Sequence, residues 1–437
     1  AARRGFNIDQ LVRADRDHRV CIIGAGAAGI AAASTLRDLG YRRVVLLESE
    51  ERIGGKCWTR VSDGVPLDAG ATFVLSHYPT VQGFARRVGV HLDRAVSMQH
   101  LGEDGSVRPF GRPPRPYPLD RRMKEFARFG AEMARAIPLL VRPPGEVNPA
   151  LVRSYALPYH EWVRSRGYDF FHLTAYPLLE SWGYGHREHG VPALYTFASV
   201  PNYAPRRNML RMWDITRIPV YQVREGYGEI WRRVAVSMDV RLGTEVLAIE
   251  RDHSGGVVRT DRGPVEFDRL IIGAAPKHLL ERMDASDEER EVFGKQRFLE
   301  CWQASARVAG LMEGCILDGN LSARRIGHTT GFFRYRRGSD WYYFFGYAEG
   351  RTDAEIRANL ETDIVELGGQ LCGTLDYYVR WPYFPHYGPE ELADGYYARQ
   401  QALQGQRSTF YTGEFTGPMG VEFAASHGVR LASRYFV

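Results

Sequence analysis

Arg19-Val20-Cys21-Ile22-Ile23-Gly24-Ala25-Gly26-Ala27-Ala28-Gly29 is the stretch that decides the fold. Val20 to Ile23 is a short apolar run and reads as a buried strand. Gly24 to Gly29 is a glycine-rich turn. Ile30 to Leu39 is Ala/Leu-rich and helical, and Gly40 stops it. Val44 to Leu47 is a second apolar strand, closed by Glu48. In such a unit Gly24 allows the tight turn, Gly26 lets backbone approach a pyrophosphate, and Gly29 lets helix and strand pack closely. The N–H groups at the helix N-terminus face the anion, and Glu48 stands where a carboxylate accepts from a ribose hydroxyl. The unit opens a doubly wound α/β sheet that binds a dinucleotide.

Around this unit lie 437 residues, enough for two or three domains at roughly 100–200 residues each. Hydrophobic residues make up 44% and charged residues 25%, so a sizeable core can be buried under an ordinary polar surface. A net charge of +5 is too mild to argue for a nucleic-acid partner. The basic residues are nearly all arginine, since only Lys56, Lys124, Lys277 and Lys295 are lysines. Codon usage in a GC-rich genome is sufficient reason. Cys21, Cys57, Cys301, Cys315 and Cys372 form no C-x-x-C pair and are odd in number. That argues against a disulfide framework and against a zinc site, and it suits a reducing cytoplasm. Ala2-Arg3-Arg4-Gly5-Phe6 resembles the start of a twin-arginine export signal, but no apolar run follows it. No stretch approaches the ~18 apolar residues of a transmembrane helix. A cytoplasmic protein without a transmembrane segment is expected.

The rest of the chain falls into three parts. Residues 108–118 are proline-rich and read as a loop. Residues 119–140 look helical and basic, and an aromatic, partly helical pattern runs from Ala150 to about Met212. Strand signals return at Glu245 to Glu250, Val257-Val258, Val265 to Phe267 and Leu270 to Ile272. Residues 300–312, 328–347 and 374–381 alternate like antiparallel strands, and Ala354 to Leu367 reads as a helix. Thr409 to Gly413 is a strand, and Phe423 to Phe436 a closing helix. The expected organisation is a discontinuous FAD-binding domain (1–85, 213–276 and 405–437), an antiparallel-sheet substrate domain (86–107 and 277–404) and a helical cap (108–212).

FAD, rather than a nicotinamide, is indicated by the second motif, Glu48-x-x-x-Arg52-Ile53-Gly54-Gly55-Lys56. Two glycines bring backbone against the phosphates, and a cation stands beside them. This run resembles the E-x-x-x-R-x-G-G-R/K signature of the flavin amine oxidase superfamily. Leu67-Asp68-Ala69-Gly70-Ala71 and the terminal blocks Tyr411-Thr412-Gly413-Glu414 and Gly420-Val421-Glu422-Phe423 resemble later blocks of the same family. The resemblance implies a Rossmann-type fold of the glutathione-reductase-like, amine oxidase kind, carrying FAD non-covalently. Its cofactor contacts are implied at Gly24, Gly26, Ala27, Ala28, Gly29, Glu48, Ser49, Gly54, Gly55, Lys56, Gly70, Ala71, Thr72, Val246, Gly413, Glu414, Val421, Glu422 and Phe423. The closing helix N-terminus would stabilise negative charge on reduced flavin. Glu422 would either oppose this or serve as a plain N-terminal helix acid.

Two departures bear on the reaction. Family members commonly place a lysine near flavin N5, yet no lysine follows Lys295, which lies in a charged helical segment. No cysteine follows Cys372, which excludes a covalent Cys–flavin link in the terminal block. Less generic stretches resemble the polyenoic fatty acid isomerase branch: Trp182-Gly183-Tyr184-Gly185-His186 with Val191-Pro192-Ala193, Tyr383-Phe384-Pro385-His386, Leu403 to Glu414, and Arg434-Tyr435-Phe436-Val437. That branch implies hydride transfer from an allylic carbon to flavin N5 and back elsewhere on the chain, in a dry aromatic pocket. The alternative is an oxidase or desaturase that gives its electrons to oxygen, on an apolar or an amine substrate.

With the flavin carrying the chemistry, no protein acid or base is assigned. Phe73, Trp182, Tyr184, His186, Tyr195 and Tyr383 are the pocket candidates, with Phe197 and Tyr342 as further walls. His186 and His386 are acid/base candidates whose ordinary reading is structural hydrogen bonding. The branch is expected to anchor a free carboxylate with an arginine before a Leu-x-Glu-Asp-Gly stretch. Here Ser97-Met98-Gln99-His100 precedes Leu101-Gly102-Glu103-Asp104-Gly105, so an acyl chain on an acidic carrier protein is an open alternative to the free acid. The basic helix 121–135 would then dock the carrier, or lie on a membrane surface. Its composition alone favours a plain solvated arginine face.

Overall fold

The apolar run read as the first strand becomes Arg19–Ile23, buried at the centre of a five-stranded parallel sheet. In the computed structural model, which describes residues 16–109, 112–113, 116–185, 189–199, 219–375 and 377–437, Arg19–Ile23 is flanked by Arg43–Leu47 and Arg269–Ile272. Asp239–Arg241 and Thr409–Tyr411 form the outer strands. A strand buried on both faces reads as continuous hydrophobic sequence, as Val20 to Ile23 does. The helices Ala27–Asp38 and Val421–Tyr435 pack together on this sheet. Their approach is close enough that a Cβ on Gly428 would stand 2.3 Å from the carbonyl oxygen of Ala28.

A hairpin that the sequence reading passed over follows directly on the second motif. Cys57–Ser62 pairs with Val65–Gly70 through the two-residue turn Asp63-Gly64. Both turn residues have positive φ, 49° and 73°, as a tight hairpin following strand twist requires. The Asp-Gly signal was present in the sequence and was not used. The antiparallel unit Val246–Arg251, Gly256–Thr260 and Gly263–Phe267 follows the expected pattern.

The second large sheet has eight strands and is mostly antiparallel. Arg297–Ala309 pairs with Trp341–Tyr347 on one side and with Tyr377–His386 and Gln370–Leu371 on the other. Gly331–Arg334, Gly314–Leu317, Gln99–Leu101 and Val107–Pro109 extend it. Gly314–Leu317 was not anticipated, and the expected strand 328–347 divides into two. Helix Asp353–Glu366, started by a Thr352/Glu355 capping box, covers one face with Ile356, Leu360 and Ile364. The opposite face turns toward the hairpin and a cavity.

Helices Leu119–Arg135, Ile137–Val141, Pro149–Arg153, Tyr159–Arg166, Asp169–Ser181 and Ala193–Ser199 follow one another in the segment expected to be a helical cap, and are called the cap below. Phe129, Tyr155, Tyr159, Trp162, Tyr168 and Tyr176 fill its core. No helix among the described residues is long and apolar enough to cross a membrane.

Candidate cofactor cradle and adjoining cavity

The glycine turn runs from the carboxyl end of the first strand into helix Ala27–Asp38, where ligands of open parallel sheets bind. Gly24 has φ +100°, and its N–H donates to the Leu47 carbonyl at 2.8 Å. A Cβ on Gly29 would stand 2.0 Å from the Gly24 carbonyl oxygen, so only glycine fits there. Gly26 differs, since a Cβ there would meet only Gly55 Cα, at 4.0 Å. The two motifs therefore stand in backbone contact, Gly26 against Gly55, tied by the Gly54 N–H donating to Ala25 O at 2.9 Å. Gly26 caps the helix without a side-chain bond, which leaves the first-turn N–H groups at Ala27 and Ala28 for a ligand.

Glu48 is buried and held in place. Its carboxylate accepts from Ala25 N–H at 2.8 Å and from Glu50 N–H at 3.0 Å, and the Ser49 hydroxyl lies 3.4 Å away. Thr244 N–H donates to the Glu48 carbonyl, which brings the start of strand Val246–Arg251 to the same edge. Paired glycine backbones, an uncapped helix N-terminus and an oriented carboxylate acceptor together suit a dinucleotide.

The two cations of the second motif serve different ends. Arg52 donates to the Gly55 carbonyl at 2.7 Å and lies 4.4 Å over the Trp58 ring, so it props the turn. Lys56 pairs with Glu414 at 2.8 Å and stands 5.4 Å from the Tyr383 ring. This joins the second motif to the terminal block, where Gly413 adopts φ +141°.

Beside the cradle is a cavity of about 130 Å³. The Gly70–Thr72 backbone lines one side and Gly420-Val421, at the start of the closing helix, lines another. Gly420 also caps its helix without a side-chain bond. Aromatic rings fill the remaining wall in sequence: Trp182 to Phe73 at 5.6 Å, Phe73 to Phe333 at 4.6 Å, and Phe333 to Tyr343 at 4.9 Å. Among the described lining residues there is no Lys, Arg, His, Asp or Glu.

Two sequence blocks interlock at this wall. Gly183, at φ +92°, passes so close to Tyr383 that a Cβ would stand 2.6 Å from its ring. Tyr184 packs on Phe384 at 5.6 Å. A bulge in strand Tyr377–His386, between the pairs Leu299–Tyr383 and Arg297–His386, puts Phe384 at φ +51°. Such strain in a non-glycine residue is retained where surrounding packing enforces it.

Phe73, Trp182, Tyr184 and Tyr383 line the cavity. Tyr195 does not. Its hydroxyl accepts from Tyr387 N–H at 2.7 Å and lies 3.0 Å from the Tyr397 hydroxyl, inside the cap core. Tyr342 is on the other face of its strand and donates to the Leu311 carbonyl. His186 and the Arg3-Arg4 stretch lie outside the described residues, as does the side chain of Phe197. His386 is buried, donates from Nδ1 to the Phe384 carbonyl, and is pushed down to about 4 by desolvation, so it is a neutral structural residue.

Glu422 also differs from expectation. Its carboxylate turns from the cavity and accepts from Thr80 N–H at 3.0 Å and Val81 N–H at 2.9 Å. The acid caps helix Pro79–Arg87, and burial raises its pKa. Val246 is buried at its strand's start, Phe423 is half-buried, and Lys295 is exposed.

Sequence reading missed Cys301, Gln303, Tyr343 and Tyr347, all on the cavity wall. Gln303 and Tyr343 both donate to the Gly70 carbonyl, at 3.4 and 3.2 Å. Tyr347 donates to the Glu180 carbonyl and accepts from Gly185 N–H, holding the cap against the sheet. Desolvation raises the Cys301 thiol well above its usual range, so it stays neutral. Beneath the wall, Asp68 accepts from Thr59 Oγ1 at 2.6 Å and from Tyr227 N–H at 2.8 Å, and burial raises it to about 7.

Comparison with known proteins agrees with this layout. Residues 27–162 match the family model described as flavin containing amine oxidoreductase. A probable polyamine oxidase 4 of Arabidopsis thaliana is 34% identical over 266 residues, 58% of this chain and 49% of that protein. An L-amino-acid oxidase of Siganus canaliculatus is 34% identical over 110 residues, 23% of this chain and 21% of that protein. The chain thus matches about half, or less, of the length of these relatives. Over its whole length it shares the fold of a CLA-producing fatty acid isomerase from P. acnes, with TM-score 0.85, 22% identity, and coverage of 97% of this chain and 100% of that one.

Proposed function

We propose that this chain, an FAD-binding flavoprotein with the fold of the flavin-containing amine oxidoreductases, is a double-bond isomerase acting on a polyunsaturated acyl or polyene substrate. The observation that carries the reading is the cavity wall, which is aromatic and, among its described residues, has no charged side chain. A buried ammonium calls for a carboxylate partner or for a base to take its proton, since a charged group is costly to bury unpaired. A polyene needs neither. The fold shared with a fatty acid isomerase along nearly the whole chain gives further support.

The chemistry FAD supplies when bound is reversible hydride acceptance at N5, which lets double bonds move along a chain with no net oxidation. The protein's part is to hold the chain, exclude water and favour positive charge spread over several carbons. Phe73, Trp182 and Phe333 present aromatic surfaces suited to such charge. Gln303 and Tyr343 fix the Gly70 carbonyl, and with it the backbone edge through Thr72. Gly26, Gly54 and Gly55, with Glu48 and Lys56, would hold the dinucleotide. Whether the substrate arrives as a free acid or on an acidic acyl carrier protein does not alter these roles. The runner-up is an oxidase or desaturase using the same cavity, favoured by the oxidases among the sequence relatives.

The test is anaerobic. Purified yellow protein is mixed with polyenoic acids and with their carrier-bound forms, while flavin absorbance and the diene and triene ultraviolet bands are followed together. Many turnovers of substrate absorbance with mostly oxidised flavin support isomerisation. A flavin that bleaches once and turns over only when air is admitted identifies an oxidase or desaturase.

A further inference from the structure

Helix Leu119–Arg135 of the cap buries Phe129 and Met133 but departs from the usual arrangement of a surface helix on its other positions. Its two central acids point inward. Glu125, 3% exposed, accepts from the Tyr117 hydroxyl and from Phe170 N–H, both at 3.0 Å. Glu132, 7% exposed, accepts from the Tyr155 hydroxyl at 2.7 Å and pairs with Arg135. Solvent instead meets apolar side chains, with Leu119 62% and Met123 50% exposed.

Helical geometry sorts the outer surface into two arcs. At 100° per residue, Leu119, Met123, Ala127, Gly130 and Ala134 share one arc. Arg121, Lys124, Arg128 and Arg135 occupy the arc beside it, and all four are exposed. The one exposed acid of this helix is Asp120. Arg121 and Lys124 form no ion pair with a described residue. Just beyond the helix Ile137 is 54% exposed. A solvated arginine face, which the composition alone favoured, would not bury two of its three acids while leaving Leu119 and Met123 in solvent.

An apolar arc bordered by cations is the pattern of a helix lying in the plane of a membrane interface. Such a helix buries its apolar side chains at the acyl boundary and places its cations among anionic headgroups. We propose that helix Leu119–Arg135 docks this protein on an anionic lipid bilayer. A second copy of the chain fits less well, because its own row of cations would meet this one. The docking holds whichever reaction the cavity performs, and it sets the cap against the phase in which apolar acyl chains reside.

The experiment is co-sedimentation of the FAD-loaded protein with vesicles of phosphatidylcholine alone or with about one third phosphatidylglycerol. Binding to the anionic vesicles only, weakened by salt, is expected. Arg121→Gln and Lys124→Gln should each reduce partitioning by about fivefold. Leu119→Ser with Met123→Ser should reduce it by about tenfold or more. Ala127→Glu places an acid in the middle of the apolar arc and should abolish binding. Flavin absorbance and thermal melting confirm that each variant is folded. Failure to bind either vesicle overturns the proposal, as does equal binding by all variants. It is also overturned if Leu119→Ser with Met123→Ser turns a dimer into a monomer, or if an acidic acyl carrier protein binds through Arg121 and Lys124 while vesicles do not.

Discussion

The hydroxyl of Tyr343 lies 3.2 Å from the carbonyl oxygen of Gly70 and donates to it, joining the second sheet to the backbone edge of the cofactor unit. Gln303 donates to the same oxygen at 3.4 Å. Tyr343→Phe removes one donor and leaves the other, so it should cost about 1 kcal/mol of stability. FAD should be retained, with activity down several-fold and a shifted flavin absorbance maximum. A variant identical to the parent in spectrum and rate would show that this bond positions nothing.

Gly26 and Gly29 make a matched pair for testing the cradle. Gly26→Ala sets a methyl in ordinary contact 4.0 Å from Gly55 Cα, on the proposed approach to the phosphates, so the chain should fold and fail to hold FAD. Gly29→Ala puts a methyl 2.0 Å from the Gly24 carbonyl and should prevent correct folding. Circular dichroism and flavin content after purification distinguish the two. A yellow Gly26→Ala protein would place the cofactor's phosphates elsewhere.

The carboxylate of Glu422 caps helix Pro79–Arg87 in this structure. Glu422→Ala should lower stability by about 1–2 kcal/mol while leaving flavin content and spectrum unchanged. Loss of flavin in a variant that still melts cooperatively near the parental temperature would restore the cofactor role.

Trp182 and Phe73 shape the cavity without touching the cradle glycines. Trp182→Ala should lower turnover of a polyene by about tenfold or more with FAD retained, since it removes an aromatic face and admits water. Unchanged turnover and product distribution would move the substrate site elsewhere.

Acid sensitivity follows from two buried histidines. Burial lowers His427 to about 3 and His386 to about 4 from an ordinary 6.5. Below 6.5 the unfolded chain takes up protons that the folded chain refuses, so stability falls as pH drops from about 6.5 toward 4. His427→Gln should flatten that slope in thermal melts at pH 7 and pH 5. Asp68 acts in the opposite sense: raised to about 7, its folded carboxyl keeps a proton that the unfolded chain has lost, so its contribution falls as pH rises from about 4 to 7. Asp68→Asn can still accept from Thr59 and Tyr227, and it should gain on the parent between pH 5 and pH 8. An equal difference at both pH values would contradict a buried charge at Asp68.

The sequence by itself determined the cofactor unit. Gly24 to Gly29, Glu48 and Gly54-Gly55 are local devices: a turn, a close approach and a carboxylate at a strand end, each set by spacing along a few residues. The order of apolar strands then dictated a parallel sheet. Which aromatics face the cavity was decided only by tertiary structure. All seven residues of strand Trp341–Tyr347 are buried, because helix Asp353–Glu366 covers one face and the cavity wall the other. Period-two alternation shows that Tyr343 and Tyr342 point to opposite faces, but with both faces buried it does not say which is the cavity. Tyr342 was therefore named as a candidate, while Tyr343 and Tyr347 were passed over; Tyr195 is taken from the cavity only by its packing against Tyr387 and Tyr397. The hydrogen bonds of the Glu422 side chain were not legible for a related reason: its partners Thr80 and Val81 lie more than three hundred residues away in sequence. Only packing of the closing helix against Pro79–Arg87 shows where its charge is used.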